Sequence, residues 1–162
     1  MLAEASRLAG MRLSGDRVQE ARVRYAIGRL FAHLQQHGRA SQEFDRVAVL
    51  TGDRPALPDL DALPLEHAAA LRAAGRLDEA ARLAETAVTS AQAQVPEDHD
   101  DLATTLLERA RIALKQGDAV GARARALEAR RALTLAPAER ADLALAIDEL
   151  LDEIARRPPP TR

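Results

Sequence analysis

Apolar residues recur along this chain at helical rather than strand spacing. Val23, Ile27, Leu30 and Leu34 step by four, three and four, and Leu77, Ala80, Ala84, Ala87, Val88 and Ala91 keep the same rhythm. So do Leu143, Ile147, Leu150, Leu151 and Ile154. These intervals return each side chain to one face of a 3.6-residue turn. Breakers divide the pattern. Gly15, Gly38, Gly75 and Gly117 each follow a periodic stretch, where a helix commonly ends in a left-handed residue. Pro55, Pro58 and Pro64 mark a linker, Pro96 a second turn and Pro137 a helix start. The pattern predicts helices over about 2–13, 16–36, 39–51, 63–74, 77–94, 100–116, 119–135 and 138–156. The expected fold is all-α, with about seven or eight helices, and the triple proline at 158–160 opens a disordered tail over 158–162.

Composition strengthens this reading. The 162 residues suffice for one domain with a real core, yet only 2% of them are aromatic within a hydrophobic fraction of 47%. Ala and Leu dominate while β-branched residues are sparse, which argues against a sheet. Cysteine is absent, which excludes disulfides, thiolate metal ligands and a cysteine nucleophile. A net charge of −2 lacks the footprint of a duplex-nucleic-acid binder. No apolar run approaches the ~18 residues of a membrane span, and the opening segment lacks signal-peptide order. The sequence reads as a soluble, cytoplasmic, helical protein.

Internal similarity refines the architecture. A shift of 42 residues superposes Leu65 on Leu107, Glu66 on Glu108, Ala68 on Ala110 and Gly75 on Gly117. The same shift sets Ala80, Ala84 and Ala87 on Ala122, Ala126 and Ala129. Small residues therefore recur where two helices of a hairpin must approach, and glycine recurs at the turn between them. These residues resemble the tetratricopeptide repeat, whose pattern has small and aromatic residues on the first helix, a turn glycine, then Ala-x3-aromatic-x2-Ala on the second, with the large aromatics replaced here by Leu and Ala. Gly75-Arg-Leu-Asp-Glu-Ala80 resembles the opening of that second helix. The segment from Leu102 to Gly117, with the acidic loop 96–101 before it, is similar to the longer 42-residue variety found in kinesin light chains and bacterial signalling proteins. The resemblance implies one helical-repeat domain over 1–157, stacked as a short right-handed solenoid. A loose repeat would cover about 17–51, better repeats about 62–95 and 100–135, and a capping helix about 137–157. The first helix looks like the second member of a hairpin, as in a piece cut from a larger regulator such as a bacterial serine/threonine kinase tail.

The resemblance further implies protein recognition without catalysis, along a concave groove lined by the first helix of each repeat. By position this points to Tyr25, Gly28, Ala32 and Gln35, then Leu65, Ala69 and Arg72, then Leu107, Arg111, Leu114 and Lys115. Leu107 and Glu108 stand where the long variety often has asparagines, so a carboxylate clamp is not expected. Apolar contact ringed by positive charge would suit an acidic protein segment with leucine-like anchors. The alternative is a structural or dimerisation segment, a homodimer joined through the apolar stripe of the last helix.

Catalytic chemistry has no visible constellation. His33 and His37, four apart on a predicted helix, can share a face, but Leu34 replaces a metalloprotease glutamate and no third ligand is near, so they read as a solvated pair. The cluster Asp98-His99-Asp100-Asp101 reads as a helix cap with first-turn carboxylates rather than a cation site. Arg123, Arg125, Arg130 and Arg131 read as a solvated face whose stems cover apolar surface. No phosphate loop, nucleophile elbow or dinucleotide fingerprint is present, and no metal, cofactor or nucleic acid is expected.

Overall fold

A computed structural model describes residues 1–13, 15–52, 57–93, 98–136 and 140–157. The triple proline, Pro55, Pro96 and Pro137 lie outside the described residues. Within them the chain is all-α, with eight α-helices, a short 3-10 turn at Pro58–Leu60 and no strand. The helices form two compact units, Met1–Arg76 and Leu77–Arg162. No helix among the described residues is long and apolar enough to cross a membrane.

The first unit holds α1 (Leu2–Arg12), α2 (Arg17–His33), α3 (His37–Thr51) and α4 (Leu63–Ala73). Asp16 starts α2 by accepting hydrogen bonds from the Val18 and Gln19 amides at 3.2 and 3.1 Å. α2 ends sooner than predicted. Gln35, at φ 58°, takes the left-handed position expected of Gly38, and the Gln36 amide closes the turn on the Phe31 carbonyl at 2.9 Å. Gly38 instead lies in the first turn of α3.

The inward face of α2 is not the apolar stripe of the sequence. Of that stripe only Ile27 is buried, while Val23, Leu30 and Leu34 are exposed. Glu20, Ala21, Arg24, Tyr25, Gly28 and Phe31 go inside instead. Two physical features select that face. At Gly28 the ring of Phe44 comes so close that an added Cβ would lie 2.5 Å from it, so the absence of a side chain is what lets α2 and α3 meet. The charges on the face neutralise one another: Arg24 Nε donates to Glu20 at 2.7 Å and its Nη1 donates to Glu43 at 2.9 Å. Ser6 Oγ and Arg46 Nη1 donate to the other Glu43 oxygen at 2.6 and 2.8 Å. Burial opposes the Arg24 charge, but the two carboxylates outweigh it and hold its pKa above the ordinary value. A second polar cluster joins α3 to α4, with His67 Nε2 at 3.0 Å and Arg76 Nη1 at 2.8 Å from the two oxygens of Asp45.

The second unit holds α5 (Leu77–Gln92), α6 (His99–Lys115), α7 (Ala119–Leu135) and α8 (Ala141–Arg156). Here the 42-residue shift is visible in the backbone, since the bounds of α5 and α6 fall within one residue of those of α7 and α8 when advanced by that amount. Asp98 caps α6 through the Asp100 and Asp101 amides, both at 3.0 Å, and Asp118 caps α7 through Gly121 at 2.8 Å. Gly117 sits at φ 86°, and the Asp118 amide reaches the Ala113 carbonyl at 2.9 Å. The Gly75 turn repeats this with φ 82° and an Arg76-to-Leu71 bond of 2.9 Å. Ala80, Ala84, Ala122, Ala126 and Ala129 are fully buried, as their recurrence predicted, while Ala87, the mate of Ala129, is only partly buried. α6 is the centre of the unit, with ten of its 17 residues buried.

Two stability outcomes follow from this packing. Arg24→Met strands Glu20 and Glu43 in the interior and should cost about 3–5 kcal/mol in urea denaturation, whereas making Glu20 and Glu43 leucine as well should recover most of the loss. Ala126→Trp should destabilise the second unit by about 3 kcal/mol or more, because no void exists for the added ring. A parental thermal melt for Ala126→Trp would refute the close approach.

Candidate binding groove

Within the first unit, α2 and α4 border an open groove of about 390 Å³. Its floor is made of small side chains, Ala32 from the α2 side and Ala69, Ala70 and Ala73 from α4, with Phe44 beneath. Its polar lining is Arg29, His33, Gln35, His37, Glu66 and Arg72. Cationic or protonatable groups thus outnumber the single carboxylate. That carboxylate is held in place. Glu66 interacts with the buried Tyr25 phenol and raises its pKa, and Arg29 Nε lies 3.3 Å from the Glu66 carboxylate. The Arg29 guanidinium is also 5.8 Å from the centre of the Tyr25 ring. Burial first, and then the hydrogen bond to Glu66, push the Tyr25 pKa up to about 12.

The residues expected in a groove divide. Gln35 and Arg72, together with Ala32 and Ala69, do line this one. Tyr25 does not; its ring belongs to the core of the unit, 5.9 Å from that of Phe44, and only its hydroxyl serves the groove through Glu66. Gly28 is buried by Phe44. Leu65 is partly buried on α4. In the second unit, Leu107 and Leu114 are core residues, each no more than 3% exposed, because α6 is covered on several sides. They cannot provide the apolar contact expected of them. Arg111 lies 3.7 Å from Glu108 of its own helix, and Lys115 is exposed at the end of α6.

His33 and His37 both line the groove but from different helices, the last residue of α2 and the first of α3. His37 Nε2 lies 3.0 Å from the Gln35 side-chain oxygen. Among the described residues no group of three or more His, Asp or Glu side chains is placed to hold a metal ion. The arginines of α7 also divide: Arg125 lies 3.6 Å from Glu85 and Arg130 3.3 Å from Asp148, while Arg123 and Arg131 have no ion-pair partner among the described residues. The α8 stripe is spent within its own unit, with Leu143, Ile147, Leu150 and Ile154 buried and Leu151 partly buried against them. The chain matches no protein-family profile, no curated protein and no solved structure.

The chain's single tyrosine and lack of tryptophan permit a direct check of the groove's support. An absorbance titration should place the Tyr25 phenol near 12, against about 10 for an ordinary tyrosine. Because the folded pKa is the higher one, the stabilisation is complete below about pH 10 and is lost as pH rises through 12. Glu66→Gln should lower the value without returning it to 10, since burial remains. Titration near 10 in the parent would place the phenol in water.

Proposed function

We propose that this chain is a non-catalytic, cytoplasmic protein-interaction module of the tetratricopeptide-like kind, and that the α2–α4 groove takes an extended acidic segment of a partner protein. The observation that supports the reading is the pairing of an alanine floor with a cationic rim. Small side chains let a peptide backbone approach closely, while Arg29 and Arg72 give the rim its positive charge. Glu66 sets a limit on that charge, so the partner needs a neutral or basic residue at one point along the segment. The dimerisation alternative loses the observation that favoured it, because the α8 stripe is already buried within its unit.

The test is selection from a random peptide display library with the full chain as bait, followed by titration of the selected peptides. Acidic, leucine-poor sequences should be enriched, and added salt should weaken them. Ala69→Trp, which fills the groove from a partly exposed position, and Arg29→Glu should each weaken binding about tenfold or more. The helix signal should hold in both variants, and the melting temperature in Ala69→Trp. Basic or neutral selected sequences, or unchanged binding by Ala69→Trp, would overturn the reading.

A further inference from the structure

The outer face of α7 differs from that of its repeat mate α5 in a way the groove above does not explain. At repeat-equivalent positions α5 carries Asp78, Arg82 and Glu85, and α7 carries Val120, Ala124 and Leu127. On α5 the two carboxylates are engaged within the unit: Gln116 donates to Asp78 at 3.1 Å, and Arg109 and Arg125 lie 3.0 and 3.6 Å from Glu85. On α7 the same positions are apolar, and Val120 is 79% exposed. They border an open groove of about 720 Å³ floored by Ile154 of α8. Arg123 and Arg131 stand about one turn to either side of Leu127, and neither has an ion-pair partner among the described residues.

We infer that this face of α7 seats an amphipathic helix of a partner protein, with apolar anchors over Val120, Ala124 and Leu127 and carboxylates opposite Arg123 and Arg131. The spacing 120, 124, 127 presents a row into which a ridge of side chains from a second helix packs. From Val120 to Arg131 the face runs about 16 Å, room for three turns of such a helix. Glu128 lies in the same groove and fixes register by excluding a carboxylate at its level. An anionic bilayer fits less well. Glu128 lies in the groove itself, and a discrete helix can place its carboxylates away from it while a charged surface cannot. A second copy fits less well: its α2 exposes Val23 and Leu30 but carries the exposed Arg22 and Arg29 beside them, and its acidic α8 has buried its stripe and leaves Leu145 as the one large apolar side chain exposed there. This site lies in the second unit, and its test is independent of the α2–α4 groove.

The probe is a fluorescein-labelled synthetic helix with leucines at i, i+4 and i+7 flanked by glutamates, titrated with the full chain beside a counterpart carrying lysine for every glutamate. The acidic helix should bind about tenfold tighter than the basic one, and the double variant Arg123→Glu/Arg131→Glu should invert that order. Both arginines are exposed, so the melting temperature should not move. Failure of the acidic helix to bind, or unchanged binding by the double variant, overturns the inference. So does preferential binding of phosphatidylserine vesicles, or a dimer in sedimentation that the double variant dissolves, since these assign the face to a bilayer or a second copy.

Discussion

A helical chain with almost no aromatic side chains can build a core only by bringing its helices unusually close, and that constraint governs the rest of this molecule. Alanine contributes little area per residue, so burial must come from backbone-to-backbone proximity over whole helix faces. The fully buried Ala80, Ala84, Ala122, Ala126 and Ala129 are the places where this happens in the second unit, and Ala21, Gly28 and Ala40 do the same in the first. Close helices require short, sharp connections. Left-handed residues at Gln35, Gly75 and Gly117 supply them, each followed by an amide that reaches back to a carbonyl of the preceding turn.

The two units meet the constraint differently. The second is mostly apolar at its centre, with Glu108 the buried carboxylate of α6, and α6 gives most of its surface to the core. The first fills part of its interior with charge, the Glu20–Arg24–Glu43 cluster that ties α1, α2 and α3 together. Such a cluster adds little net stability, because desolvation offsets attraction, yet it penalises any other register in which one charge loses its partner. An apolar face built from alanine and glycine tolerates sliding. A face carrying Arg24 between two carboxylates does not.

Much of the fold is legible in the sequence, and the failures have a common cause. Helix positions follow from periodicity and from capping residues such as Asp98 and Asp118, and the Ala rows mark the hairpin contacts. The inward face of α2 is misread because hydrophobicity favours Val23, Leu30 and Leu34, whereas packing selects small size and charge pairing. Glu20 and Arg24 are visible as an i, i+4 pair, but Glu43 lies on another helix and no local signal joins it to them. Gln35 in a left-handed conformation is equally opaque, since glycine three residues later is the stronger cue. In the groove, repeat register finds Ala32, Gln35, Ala69 and Arg72, which face open space, and fails for Leu107 and Leu114. Register states which face of a helix a residue occupies; whether a neighbour covers that face depends on the rest of the fold.

The same economy that shapes the core shapes the surfaces. A floor of alanines cannot grip a large side chain, so recognition at the α2–α4 groove, as proposed, would depend on backbone approach and on the charges at the rim, a combination that favours composition over an exact motif. The α7 face works by the opposite logic. There three positions are apolar, while two of their repeat mates on α5, Asp78 and Glu85, are tied up in a hydrogen bond and ion pairs, so the repeat offers a comparison for what the fold requires. A surface residue that the architecture needs should keep its chemistry from one repeat to the next. Val120, Ala124 and Leu127 do not, and the fold gains nothing from exposing Val120 to water. What the repeats share therefore reports on folding, and where they diverge is where the proposed binding face lies.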